Sequence, residues 1–373
     1  MKTERYRNRQ IDGLRAFAIG GVFVSHFLPT AGWLPWGKIG VRLFFVLSGF
    51  LITDILLDCR DKAGPSGGSR WWLLRQFYCR RFLRIFPLYY FVICVAFLMD
   101  LGPVRDLVWW LVTYALNVQI SASQIWPERV SHFWSLCVEE QFYLLWPPLI
   151  LFLPRRWLMP AILATIAAAP LLRFFAAYWW ENWVAVEVFP VVSFDALGAG
   201  ALAALGMRRG LPDNIDRFLK RLSLPLGLGL VVLLEVTSRI KATNNPIAYA
   251  VFYDFGWALV FCRVVQWAWD GFGGLTGRMC EWRPLTYVGE ISYGLYVYHA
   301  FVPTLVLWLA DKVGWMPPKS HFPRFWIFLA ASLLLASISW HFFERPLNNL
   351  KRHFLYQGRT REKAGPLQRQ LDR

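Results

Sequence analysis

Arg15 and His26 lie eleven residues apart in the run IDGLRAFAIGGVFVSHFLP, residues 11–29, and no other ionisable residue stands between them. A helix turns about 100° and rises about 1.5 Å per residue, so both fall on one face, about 16 Å apart, where they are expected to line one cavity. Asp12 is the expected N-cap. An imidazole moves protons near neutral pH, as a base toward a hydroxyl or as an acceptor of an acyl group. A second constellation occupies 132–143, where His132, Ser135, Glu139 and Tyr143 recur at steps of three and four and share a face. Glu140 points to the neighbouring face. Two adjacent carboxylates opening an apolar span are costly unless they are used or paired, and ion pairing with arginines of other helices is the structural alternative. The third group is Arg80, Arg81 and Arg84, with Arg75 upstream. Their spacing presents guanidinium forks suited to phosphates, or else an anchor on anionic lipid.

The elements that must position these groups are apolar helices. Of 373 residues 56% are hydrophobic and 17% aromatic, with 21 tryptophans, which points to an all-α polytopic membrane protein rather than a soluble one. The net charge of +16 sits in short runs between apolar spans, as positive-inside anchors do, so nucleic acid is not the expected partner. Ten transmembrane helices are expected, at 11–29, 41–57, 85–101, 133–153, 157–180, 187–206, 222–238, 247–270, 284–310 and 325–343. Residues 106–120 are too short to cross and are expected to form a re-entrant or interfacial helix on the outer face. Keeping them out of the count leaves most lysines and arginines inside and both termini cytoplasmic. The organisation is then a basic cytoplasmic tail at 1–10, a membrane domain at 11–346 and a basic, disordered tail at 347–373, with no soluble domain on either end. The first span has no small-residue cleavage site after it and is expected to be retained.

Six scattered cysteines without CxxC spacing indicate neither a disulfide framework nor a metal site. Asp54, Arg173, Asp195, Glu235, Asp254, Arg263, Glu290 and Glu344 are assigned to structural networks, with Arg173 and Asp195 able to pair from consecutive helices. His299 differs, because its neighbourhood ISYGLYVYHAF is rich in hydroxyls that can line a cavity. There is no P-loop, G-x-G-x-x-G, H-E-x-x-H or G-x-S-x-G, which argues against NTP hydrolysis, dinucleotide binding, zinc proteolysis and a hydrolase elbow. Ser48 in LSGF lies within a span and lacks the context of that elbow.

Seven pieces in order resemble the acyltransferase family 3 membrane proteins. They are DGLRA with an R-x10-H spacing to His26, FFVLSGFLI at 44–52, RRFLRIFPLYY at 80–90, HFWSLCVEEQFYLLWP at 132–147, FDALGAGALAA at 194–204, ISYGLYVYH at 291–299, and FFERP at 342–346. Each alone is weak, but together they cover residues 11–346. The resemblance implies a ten-span enzyme that moves an acyl group, usually acetyl from acetyl-CoA on the cytoplasmic side, to a carbohydrate hydroxyl, often across the membrane. By position, Arg15 and His26 match the family's essential first-helix pair, Arg81 and Arg84 its R-x-x-R motif, and Ser135, Glu139 and Glu140 its WSLxxEEQFY motif. The expected location is a bacterial inner membrane. Family members often carry a further C-terminal extracytoplasmic domain, so a separate extracytoplasmic partner is expected here, or none.

Both readings meet in one mechanism. Arg80, Arg81 and Arg84 hold the CoA phosphates at the inner mouth, and Arg15 helps hold the donor. His26 serves as base or carries the acyl group, and Glu139 or Glu140 orients its imidazole or shuttles its proton. His132, Tyr143 and His299 contact the substrate, and Trp33 and Trp36 stack on the sugar at the outer face. No metal is required. The competing readings are a proton-coupled transporter or flippase of a lipid-linked sugar, and an acyltransferase of a small glycosylated product such as a macrolide. The O-antigen of lipopolysaccharide, peptidoglycan, exopolysaccharide, a glycosylated signal and a macrolide all remain open as acceptors.

Overall fold

The computed structural model describes residues 8–28, 34–62, 69–240 and 245–356, and among these there are helices and no strands. In chain order the helices are α1 (Arg9–Phe27), α2 (Trp36–Lys62), α3 (Arg70–Leu98), α4 (Val108–Val112), α5 (Leu116–Ser123), α6 (Phe133–Phe152), α7 (Arg155–Tyr178), α8 (Ala185–Val188) and α9 (Phe194–Arg209). They continue as α10 (Asp213–Arg217), α11 (Ser223–Arg239), α12 (Pro246–Asp270), α13 (Gly274–Cys280), α14 (Arg283–Glu290), α15 (Ser292–Tyr298), α16 (Val302–Lys312), α17 (His321–Ser339) and α18 (Arg345–Asn349). Among the described residues six helical stretches are long and apolar enough to cross a membrane: α2, α3, α7, α9, α12 and α17 with its continuation to His353. The pair α15 and α16, bent by 65°, would be a seventh. The chain is thus a polytopic all-helical membrane protein. The other expected spans coincide with α1, α6 and α11. Arg15, His26, Glu139 and Glu140 lower the hydropathy of the first two, and α11 has only 17 residues.

Asn8, rather than Asp12, caps α1. Its side chain accepts from the Gln10 and Ile11 amides and donates to the carbonyls of Ala268 and Trp269 at 3.2 and 3.3 Å, tying the helix start to the end of α12. Asp12 lies a turn further in and pairs with Arg15 at 3.2 Å. The segment 106–120 is split between α4 and α5, broken at Tyr114 with φ of 52°, and neither piece can span a bilayer. Of the tail expected at 347–373, residues 357–373 lie outside the described residues, and the first residues are helical, since α18 and a further turn carry the chain to His353. Arg80 explains this: its guanidinium donates to the carbonyls of Lys351 and Phe354 at 3.0 and 3.1 Å and lies over the Tyr356 ring at 5.1 Å. Burial pushes the Tyr356 phenol up to about 12, so it stays neutral beside that cation.

Helix α2 is the central post, packed against α1, α6, α9 and α12. Small residues in FDALGAGALAA let α9 approach it at backbone distance. A Cβ on Gly49 would meet the Leu197 carbonyl oxygen at 1.9 Å, and one on Gly200 the Val46 oxygen at 2.0 Å. Gly49→Val is therefore expected to force α2 and α9 apart, at a cost toward the upper end of ~1–3 kcal/mol. A lowered thermal unfolding midpoint in detergent would register it. In α6, Pro148 lacks the N–H that would have bonded the Leu144 carbonyl, and the Tyr78 hydroxyl donates there instead at 2.8 Å, fixing α3 against α6.

The expected pairing of Arg173 with Asp195 is present within a larger buried cluster. Arg42 and Arg173 each reach both Asp195 and Asp254, and Lys38 adds its ammonium 3.3 Å from Asp254. This joins α2, α7, α9 and α12. Asp54 and Asp58 similarly hold Arg208 near the other end of α2.

Candidate active site

Helices α1, α2, α3, α6 and α15 border a cleft of about 770 Å³ including the open space at its mouth. Seven of the residues singled out in the sequence border it: Arg15, Arg81, Arg84, Ser135, Glu139, Glu140 and Tyr143. Three guanidinium groups and two carboxyl groups thus meet in one apolar-walled space, where charge interactions are stronger than in water. The spacing rules account for the convergence. Arg81 and Arg84 are three residues apart on α3, and Ser135, Glu139 and Tyr143 ride one face of α6.

Several contacts fix the site. The Ser48 hydroxyl donates to a Glu139 carboxyl oxygen at 2.7 Å, so the serine discounted in LSGF is a site residue. The Arg81 guanidinium lies 4.9 Å over the Tyr143 ring and 5.6 Å over that of Phe77, which holds its fork toward the cleft. The Tyr296 hydroxyl donates to the His132 carbonyl at 2.7 Å, and the Ser135 hydroxyl in turn donates to the Tyr296 oxygen at 2.5 Å. The Tyr293 hydroxyl donates to the Ile85 carbonyl at 2.7 Å, binding the start of α15 to α3. Ser48, Tyr293 and Tyr296 were missed as site residues. The hydroxyl-rich ISYGLYVYHAF run carried the signal for the two tyrosines.

Three expectations change. Arg80 is turned away to the 350–356 segment and does not border the cleft; as the neighbour of Arg81 on a helix it faces about 100° away. His26 does not share the cleft with Arg15. The axial distance of about 16 Å carries it past the cleft to the far end of α1, where it is exposed. Its neighbour there is His299, at a ring-centroid distance of 4.8 Å, and His299 stands 4.7 Å from His132. The imidazole beside His26 is thus a second imidazole, while Glu139 is bonded to Ser48. Trp36 opens α2 with its carbonyl over Gly21 and is not on the cleft wall; Trp33 lies outside the described residues. Among the described residues no three His, Cys, Asp or Glu side chains converge as a metal site would need.

A family model described as an acyltransferase domain matches residues 8–343. The peptidoglycan O-acetyltransferase OatA of Listeria monocytogenes is 26% identical over 93% of this chain and 57% of its own length. The O-acetyltransferase OatA of Staphylococcus aureus is 26% identical over 90% of this chain and 56% of its own. The chain therefore spans little more than half the length of these curated relatives. No solved structure matches it.

Proposed function

The chain belongs to acyltransferase family 3, and from that premise we propose that it is a membrane O-acetyltransferase that moves acetyl from acetyl-CoA to a hydroxyl of a cell-envelope glycan. The observation that carries this reading is the meeting of Arg15, Arg81 and Arg84 with Glu139, Glu140 and Ser135 around one cleft. Guanidinium forks suit the phosphates of an acyl-CoA, and the apolar walls of Val41, Phe44 and Leu51 suit its pantetheine arm. A thioester supplies the driving force without a metal or nucleotide hydrolysis. His26, beyond the cleft, serves as the base toward the acceptor hydroxyl, and His132 contacts the reacting groups, with the His299 ring standing between the two. The acceptor class follows the names of the relatives, which specify O-acetylation and, for the Listeria protein, peptidoglycan. We place α1, α6 and α11 as further spans, giving ten, with both termini cytoplasmic and the protein in a bacterial inner membrane. A separate extracytoplasmic protein that hands the acetyl group onward fits the same scheme.

The test is transfer of radiolabelled acetyl from acetyl-CoA to isolated glycan strands by the chain in proteoliposomes. Label is expected in the glycan. Arg84→Ala removes a charge-assisted contact of about 1.5–3 kcal/mol, so the KM for acetyl-CoA should rise about 10- to 100-fold. Acetyl-CoA that neither binds nor loses its acetyl group would overturn the reading in favour of a carrier of lipid-linked sugar.

A further inference from the structure

His299 is fully buried and sits where its span breaks. Helix α15 ends at Tyr298, α16 begins at Val302, and their axes differ by 65°. Broken helices in membrane proteins occur where groups are put to use inside the bilayer. His299 Nδ1 lies 2.6 Å from the Tyr296 carbonyl oxygen. A carbonyl only accepts, so Nδ1 carries the hydrogen and the neutral ring presents a bare Nε2. That Nε2 has no hydrogen-bond partner among the described residues, and neither has Nδ1 or Nε2 of His132. Three buried ring nitrogens without partners are costly unless a proton or hydroxyl visits them.

The His299 ring stands between two others, edge-on at 73° to His26 and at 71° to His132. His26 is exposed at the end of α1, whereas His132 lies one turn before Ser135 on the cleft wall. Phe23 and Phe27 close the apolar side. The titratable groups facing His299 are His26 from α1, His132 from the start of α6, and Tyr296 from its own helix.

We propose that His299 is a positioning residue that relays a proton between His26 and His132, linking the exposed end of α1 to the cleft. The relay rests on the acetyl-transfer reading above. In that reaction the acceptor O–H bond breaks, the ester C–O bond forms and the thioester C–S bond breaks. The hydroxyl proton taken by His26 passes to His299 Nε2, then to His132, and ends on the CoA sulfur as a thiol. His299 receives and releases the proton through the same nitrogen, because Nδ1 stays bonded to Tyr296.

His299→Asn keeps an N–H for the Tyr296 carbonyl and removes the proton acceptor. In the full chain in proteoliposomes, with acetyl-CoA and glycan strands, kcat should fall about 100-fold with the KM for acetyl-CoA unchanged. His132→Gln should do the same, and added imidazole should restore part of the rate to His299→Gly. A readout independent of activity is carbethoxylation of His26 by diethyl pyrocarbonate, followed by mass spectrometry across pH. Its midpoint should move downward in His299→Asn, because a protonated His26 no longer has the bare Nε2 of His299 to donate to. A His299→Asn protein within twofold of wild-type kcat at every pH, with an unmoved His26 curve, would overturn the relay. If the wild type transfers no acetyl, the acetyl-transfer reading falls by itself. The His26 curve then still decides the coupling, and an unmoved curve removes it.

Discussion

Replacing His26 by alanine is expected to lower acetyl transfer by about 10²- to 10⁴-fold, the usual contribution of a general base, while acetyl-CoA binding stays within about twofold. The two effects separate because the groups are separated. Arg15, Arg81 and Arg84 border the cleft, and His26 lies about 16 Å from Arg15 along α1 and outside that lining. The ring is exposed and packs on His299, so truncation opens no large core cavity. Equilibrium binding of labelled CoA beside single-turnover transfer measures both quantities on one preparation. Joint loss of binding and transfer would mean that His26 holds the fold rather than the proton. Loss of transfer in His132→Ala with full activity in His26→Ala would move the base to the buried ring.

The residues that the sequence exposes best are those whose helical spacing and burial cost agree. Arg81 with Arg84, and Ser135 with Glu139 and Tyr143, reach the cleft because three- and four-residue steps on a helix leave little choice of face. The same rule misplaces His26, because sharing a face says nothing about how far a cavity extends along it. Arg80 is misread for another reason: nothing local tells that a segment 270 residues later brings two carbonyls to its guanidinium. Ser48 is invisible as a site residue until α2 and α6 are placed side by side, since its only signal is the carboxyl it meets. The bend between α15 and α16 was hidden inside one long apolar run, although Pro303 at the start of α16 marks where a helix can restart. The buried ion cluster was half legible. Arg173 and Asp195 lie on consecutive spans, but Arg42, Lys38 and Asp254 join them only through the packing of α2 and α12 on α7 and α9.

That cluster gives the largest expected loss of stability. Asp254→Ala would leave Arg42, Arg173 and Lys38 with Asp195 as the remaining carboxylate, although Arg42 and Arg173 are no more than 1% exposed. Removing one partner of a buried ion pair costs about 3–5 kcal/mol, because the stranded charge cannot be rehydrated. That is a large fraction of a net stability of about 5–15 kcal/mol, so the variant should accumulate poorly and unfold early in detergent. Asp254→Asn keeps hydrogen-bond acceptance without the charge and should fall between the two. The partial variant is the more informative one. Arg42 and Ser48 are six residues apart on α2, so a cluster that no longer clamps that helix also loosens the hydroxyl that orients Glu139. Asp254→Asn should then lose more transfer activity than its folded fraction predicts, as measured by rate per folded molecule after size-exclusion chromatography. An activity that tracks folded fraction alone would mean that the clamp and the cleft are energetically independent.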